Sequence, residues 1–403
     1  ISQYFYPENF RFNDLADGLV ASGHEVSVIT GIPNYPQGDF YKGYGLFSPI
    51  KETWKGIAIY RVPLIPRKQN KIFLTLNYLS FPLFATLFWI YLSWKDKFEK
   101  VFICQSSPIF MAIPAVIVRT YSKVPVVLWI TDLWPESLRA TNTFKASFIL
   151  KPVELITKLI YLGVDHILIS CRGFKSSIED KIGEGKKPIS YFPYWAEDFY
   201  QPIKKDSVQL GKKEKNLFKE DELKLVFAGN LGEAQNLNLI VDAVHILQDY
   251  PIKLIFVGDG RARPVLENRI KTMNLEEKII FLGQKPADEM NDYFALADVL
   301  YISLREDPIF SITVPSKLQS YLAVRKPILG SLSGEPADLI TDSNSGLVSS
   351  ANNLNGLVEN LKKYCAMDHL ERQIYAENGY KYFKKHFKRG IVLKKLEQLL
   401  NCR

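Results

Sequence analysis

Short β-branched runs alternate with helical periods twice along this chain, and a polar stretch separates the two series. Glu25–Thr30, Gly56–Val62, Val101–Cys104, Val126–Ile130 and His166–Ser170 form the first series, each followed by a helical period or a Pro/Gly turn. The second runs through Leu223–Ala228, Lys253–Val257, Lys278–Leu282 and Val299–Ile302, with helical periods near Leu237–Gln248, Arg261–Met273 and Ala287–Leu296. Such alternation is satisfied by right-handed βαβ units and a parallel sheet covered on both faces. At 403 residues the chain is too long for one core. The expected fold class is therefore α/β, two doubly wound domains with ligands bound at their strand ends. The boundaries are placed at 1–193 and 194–374. Tyr194–Glu222, crowded with Lys and acidic residues, reads as a solvated linker, and a Lys-rich amphipathic stretch follows Asp368.

The stretch from Thr313 to Gly330 reads as a loop, a helix and a buried strand. Pro315 suits the first helical position, where its missing N–H costs nothing. Free amides at such an end, with Ser316 and the mobile charge of Lys317 beside them, make an anion corner suited to a diphosphate. Three strand ends of the second series carry glycine: Gly229-Asn230-Leu231-Gly232, Gly258-Asp259-Gly260 and Gly283. Singly, each is an ordinary βα turn. As a set converging on one crevice, they point to a nucleotide site, because glycine lets backbone amides approach phosphate.

In the first series, Asp132-Leu133-Trp134-Pro135-Glu136-Ser137 closes a strand with two carboxylates in a Trp-rich loop. Asp132 is a site candidate; its alternative role is capping a following helix. Glu136 stands with it. Glu8, Asn9 and Arg11 end the first strand-like segment, and Arg11 either meets a phosphate or is solvated. The five histidines have no spaced partners, and no Asp-x-Asp lies between strand-like runs, so no cofactor and no catalytic metal are expected.

The net charge of +8 has three readings: a Lys-rich soluble surface, an anionic membrane, or nucleic acid. No helix-turn-helix, zinc-finger or RNP-like motif supports the last, and nucleic acid is not expected as a partner. Ile72–Trp94 contains no charged residue, yet Asn77, Ser80, Pro82, Thr86 and Ser93 interrupt it and basic residues flank both ends. It can lie in a membrane interface, sit in the core as a helix, or span a bilayer; the basic flanks favour the first. Phe144–Leu162 is a second candidate for the same surface. Cys104, Cys171, Cys365 and Cys402 lie far apart, which suits free thiols in a reducing compartment. No signal peptide is visible, and a start at Ile1 suggests that some N-terminal residues precede it.

The pieces Tyr4–Asn9, Ile32–Gly38, Asp132–Ser137, Gly229–Gln235, Val257–Gly260 and Val314–Leu322 together resemble the retaining nucleotide-sugar glycosyltransferases of the GT-B fold. The resemblance is nearest to the WbuB-like L-fucosamine transferases of O-antigen and capsule synthesis, and covers nearly the whole chain. It implies two Rossmann-like domains, the C-terminal one holding a UDP-sugar and the N-terminal one the acceptor, with the tail 375–403 crossing back onto the latter. It implies metal-independent transfer of an amino sugar such as N-acetyl-L-fucosamine to a polyprenyl-diphosphate-linked glycan, at the cytoplasmic face of the inner membrane. Asp132 would serve as acid–base residue and Lys317 would neutralise the leaving diphosphate. Many relatives carry a Glu-x7-Glu pair, and its positions here are Ile312 and Ser320. Glu306, Asp307 and Glu335 are the available substitutes. A same-fold UDP-sugar epimerase and a non-catalytic scaffold of a polysaccharide complex are the rival readings.

Overall fold

The computed structural model describes residues 1–48, 50–68, 70–140 and 147–401, and the chain divides into two compact units: Ile1–Pro193 with Leu393–Arg403, and Tyr194–Val392.

The first unit holds β1 (Ser27–Gly31), β2 (Lys51–Trp54), β3 (Ile57–Val62), β4 (Val101–Gln105), β5 (Val126–Ile130), β6 (His166–Ile169) and β7 (Ile189–Tyr191). The last four pair in sequence order, all parallel, and every residue of β5 is buried. A continuous apolar run such as Val126–Ile130 fits a strand covered on both faces. β1 pairs β3 in parallel, and β2 joins β3 as an antiparallel edge. That hairpin turns at Lys55 and Gly56, both at positive φ, as a tight two-residue connection requires. β2 is short and only partly buried, so its sequence carries little strand signal. The N-terminal segment stitches the two sheets together: Ser2 N donates to Ile29 O, Gly31 N to Gln3 O, and Cys104 N to Ile1 O.

The helices of this unit are α1 (Arg11–Ala21), α2 (Lys71–Lys95), α3 (Ile113–Ser122), α4 (Glu136–Ala140), α5 (Ser147–Gly163) and α6 (Phe174–Ile182). α2 coincides with the uncharged segment. Asn70 caps it, accepting from Phe73 N at 2.8 Å. One face, including Asn77, Ser80, Phe81, Ala85 and Trp89, is buried. The other leaves Ile72, Leu76, Leu79, Leu83, Leu87, Tyr91 and Trp94 exposed. The start of the Phe144–Leu162 candidate lies outside the described residues, as does Cys402; the rest of that candidate forms α5, with Leu155, Leu159 and Leu162 exposed.

The second unit contains β8 (Leu223–Ala228), β9 (Ile252–Val257), β10 (Ile279–Phe281), β11 (Val299–Ser303), β12 (Ile328–Ser331) and β13 (Gly346–Ser349). They form one parallel sheet in the order β10-β9-β8-β11-β12-β13. This is the doubly wound arrangement of two mononucleotide-binding halves, with its switch point between β8 and β11. The helices are α7 (Lys212–Lys215), α8 (Asn238–Ile246), α9 (Arg263–Thr272), α10 (Met290–Leu296), α11 (Pro308–Ser311), α12 (Lys317–Ala323), α13 (Glu335–Asp342), α14 (Leu354–Ala366) and α15 (His369–His386), and α16 (Arg389–Asn401) starts in this unit and passes to the first at Leu393.

Two expectations change here. Tyr194–Glu222 is not a free linker: Trp195, Val208 and Phe218 are buried, and Glu214 of α7 accepts from Lys285 (2.6 Å) and Tyr293 (3.0 Å). Its charges face outward while a few apolar residues dock, a pattern too sparse to register as periodicity. The tail is also divided. α15 packs on α12 within the second unit, and only Leu393–Arg403, rather than 375–403, group with the first.

Candidate active site

At the switch point of the second unit, backbone bonds lace the glycine-bearing strand ends together. Gly229 N donates to Val257 O (2.9 Å), Gly258 N to Gly283 O (2.8 Å) and Leu231 N to Asp259 O (2.9 Å). Gly258 is required twice over. Its φ is +141°, and a Cβ there would lie 1.9 Å from Gly229 O. Gly260 is as confined, its would-be Cβ 2.4 Å from Leu231 O. Gln235 Oε1 accepts from Gly232 N at 3.1 Å and holds the first loop closed, while Gly229 and Asn230 stay exposed at its tip.

Lys317 opens α12 beside this lacework. Its Nζ lies 4.0 Å from the Phe227 ring centroid and 2.9 Å from where a Cβ on Gly229 would stand. Although the residue keeps some accessible surface, Nζ itself is buried and without a hydrogen-bond partner. Burial lowers its pKa to about 7. A desolvated ammonium with only an aromatic face beside it is costly until an anion arrives. Tyr321, one turn on, fixes the helix: its hydroxyl accepts from Ala228 N at 3.0 Å.

The corner differs from its sequence reading in detail. α12 begins at Lys317, so Pro315 precedes the Ser316 N-cap instead of occupying the first helical turn, and Leu318 N donates to Pro315 O. The anion corner thus rests on Lys317 and the glycine loops, because a helix this short adds little dipole. Ser320 is buried within α12. Glu335 starts α13 after Gly334, at φ +71°, and is part-exposed. Asp307 is occupied as the N-cap of α11, accepting from Ile309 N, and Glu306 accepts from Asn352 at 3.4 Å.

In the first unit, Asp132 follows β5. Its carboxylate accepts from Trp134 Nε1 and Ser137 Oγ, both at 3.2 Å, and Gln105 Nε2 donates to its backbone oxygen at 3.1 Å. The residue is part-exposed, but its carboxyl is desolvated among these groups and its pKa rises to about 6. Burial is the leading cause, and the charge of Glu136 adds to it. Glu136 itself, expected on the acceptor side, is engaged elsewhere: it pairs with Lys181 and accepts from Ser177 at 2.8 Å. It lines a cleft of 590 Å³ with Lys151, Glu154 and Lys158.

Glu8 corrects a second expectation. It is 1% exposed, and its carboxylate accepts from the backbone amides of Asn34 (2.8 Å), Tyr35 (2.7 Å) and Phe5 (3.3 Å). It is a tether for the Ile32–Gly38 loop rather than a ligand contact, and burial raises its pKa to about 7. Asn9 is exposed beside it, and Arg11 opens α1 half-buried.

Sequence alone did not single out Tyr78 or Arg67. Tyr78 of α2 packs edge-on to Trp134, and its hydroxyl bonds Ser107 within electrostatic reach of Arg67, Tyr35 and Asp132. Arg67 stacks over the Tyr35 ring, 5.1 Å from its centroid. Tyr78 was hidden in an apolar run, and Arg67 registered only as one of its basic flanks. The available signal was a tyrosine, with its polar tip, inside the uncharged run.

Residues 209–382 match the family model for glycosyl transferases group 1, and residues 9–195 match that for a glycosyl transferase 4-like domain. The chain is 22% identical to the probable glycosyltransferase WbjE of Pseudomonas aeruginosa, over 70% of each chain. It is 26% identical to the putative colanic acid biosynthesis glycosyl transferase WcaI of Escherichia coli (strain K12), over 77% of this chain and 76% of that one. Among solved structures, Anabaena HepE in complex with UDP is similar at a TM-score of 0.73 and 12% identity, covering 100% of this chain and 98% of that chain, a likeness of fold.

Proposed function

We propose that this chain, which matches glycosyltransferase family models over residues 9–195 and 209–382 and has the GT-B fold, moves a sugar from a UDP donor to a lipid-linked glycan during bacterial surface-polysaccharide synthesis. The sugar we favour is an N-acetylated amino sugar such as N-acetyl-L-fucosamine. The observation that carries the reading is Lys317, a buried ammonium without a hydrogen-bond partner, set against Gly229 at the switch point of a doubly wound sheet. Bringing a diphosphate there gives the ammonium its counter-charge and the glycine amides an acceptor.

Transfer breaks the bond between the anomeric carbon and the diphosphate oxygen while the acceptor oxygen bonds to the same carbon on the same face. Lys317 and the backbone amides of the glycine loops meet the charge left on the diphosphate, without a metal or other cofactor. Asp132 orients the acceptor hydroxyl and takes its proton. The exposed apolar face of α2 keeps the enzyme at the cytoplasmic side of the inner membrane, where such an acceptor lies.

A panel of nucleotide sugars incubated with membrane-extracted acceptor lipid, read by mass spectrometry, identifies both substrates. Lys317→Ala is expected to lower turnover by about a hundredfold, the usual scale for losing a charged transition-state contact, while the circular-dichroism spectrum stays native. Undiminished turnover would remove Lys317 from the chemistry. A scaffold reading is favoured by Ile312 and Ser320, which stand where the family resemblance implies a pair of carboxylates. It predicts UDP binding with neither donor hydrolysis nor transfer.

A further inference from the structure

We propose that Arg67 recognises the diphosphate of the acceptor, at the point where the chain enters α2. The inference rests on the reading above, that the acceptor is lipid-linked.

Three observations converge. Arg67 is half-buried, yet among the described residues no carboxylate and no hydrogen-bond acceptor engages its side chain; its contact is the Tyr35 ring, 5.1 Å away. Arg61, fully buried, and Arg119, half-buried, are by contrast engaged. Arg61 binds Glu52, Tyr6 O and Gly31 O, and Arg119 pairs with Asp165. The cation–π contact with Tyr35 leaves the guanidinium N–H groups available to a bidentate anion.

The location is equally defined. Arg67 N donates to Asn34 Oδ1 at 3.3 Å, and Asn34 is itself tethered by Glu8. Asn34 Oδ1 also accepts from Asn77 Nδ2 at 3.4 Å, and Tyr78, next to Asn77 on α2, packs edge-on to Trp134, whose Nε1 donates to Asp132 at 3.2 Å. A ligand that offers a hydroxyl to Asp132 would therefore bring its neighbouring anionic group to Arg67. Lys68, next in the chain, lies exposed with its ammonium 4.6 Å from the Phe73 ring.

The apolar side of the ligand is indicated as well. The exposed stripe of α2 begins at Ile72, five residues after Arg67, and continues through Leu76, Leu79 and Leu83. A sugar hydroxyl, a diphosphate and a long hydrocarbon in that order match Asp132, Arg67 and the stripe. The same guanidinium could instead meet a phosphate headgroup of the bilayer, and the experiment separates the two.

The acceptor sugar identified by the panel is attached through a diphosphate to a short, water-soluble prenyl chain, and separately to a neutral alkyl chain of equal length. Wild type should prefer the diphosphate compound. Arg67→Gln should raise the KM for that compound by about tenfold or more, with a smaller change in kcat, and collapse the preference between the two. Arg67→Lys should restore part of it. UDP affinity, read by calorimetry, serves as the folding control. Equal losses on both compounds would overturn the assignment, as would an intact preference with weakened binding to phosphatidylglycerol vesicles, which would assign Arg67 to the headgroups. If wild type binds UDP but glycosylates neither compound, the transferase reading fails and this one with it.

Discussion

Asp132 and Lys317 are both held away from their ordinary protonation equilibria by burial, in opposite directions. The carboxyl of Asp132, raised from 3.8 to about 6, favours its protonated form in the folded state. Its contribution to stability is therefore full below about pH 4 and lost as pH rises through 6, so the role as a base that we propose would begin only where that stability is gone. We expect kcat/KM to fall tenfold per pH unit below about 6. Asp132→Asn should abolish that limb and cut turnover, yet raise the melting temperature relative to wild type at pH 7.5 more than at pH 4.5. The stabilisation is on the order of 1 kcal/mol, since the residue is partly solvated. A melting temperature that falls equally at both pH values would show that Asp132 is instead a structural cap. The contrast with Glu8, which the sequence offered for the acceptor side while it favoured Asp132 as the acid–base residue, lies in their partners. Both follow strand-like segments, but three backbone amides consume Glu8, and only the folded chain reveals that.

Among the elements, those defined by long apolar or glycine-punctuated runs were legible, and those set by partners were not. β5, β8 and β9 are fully buried strands, and a central strand announces itself by composition. β2 and β7, partly exposed and short, do not. α2 shows the limit most clearly. Its Asn77 and Ser80 read as interruptions of an apolar segment, whereas they are its docking face. Asn77 Oδ1 accepts from Gln3 Nε2 at 2.7 Å and its Nδ2 donates to Ile65 O at 2.7 Å, and Ser80 Oγ accepts from Ile65 N at 3.0 Å. A helix whose polar residues are spent on the unit beneath it has no need of a bilayer on that side. Asn77→Ala would leave Gln3 Nε2 and Ile65 O short of partners in the core, at a cost of about 2–3 kcal/mol. Chemical denaturation should show that loss, with Thr75→Ala on the exposed side nearly neutral. A negligible effect at Asn77 would contradict the docked placement.

For the whole molecule, the question is whether +8 of net charge and the apolar stripe act together on a membrane. The stripe is the larger contribution. Fully burying a Leu or Ile side chain is worth about 2 kcal/mol, and Ile72, Leu79, Leu83 and Leu87 are each more than half exposed. A basic residue near an anionic surface adds roughly 1 kcal/mol, and the two ends of α2 are unequal in this. Arg67, Lys68 and Lys71 precede it without an acidic neighbour, whereas Lys95, Lys97 and Lys100 are interleaved with Asp96 and Glu99. The electrostatic attraction therefore concentrates at the N-terminal end, next to the site around Asp132. We expect the full chain to sediment with phosphatidylglycerol vesicles at low salt and to be partly released at 0.5 M. Lys68→Glu with Lys71→Glu should weaken binding more than Lys95→Glu with Lys97→Glu. Leu79→Glu with Leu83→Glu should weaken it most, because it removes apolar burial and adds repulsion together. If α2 instead crossed the bilayer, release would need detergent at any salt, and the two charge pairs would not differ in this way. If the stripe were covered by another protein, vesicles would compete poorly and none of the variants would separate from wild type.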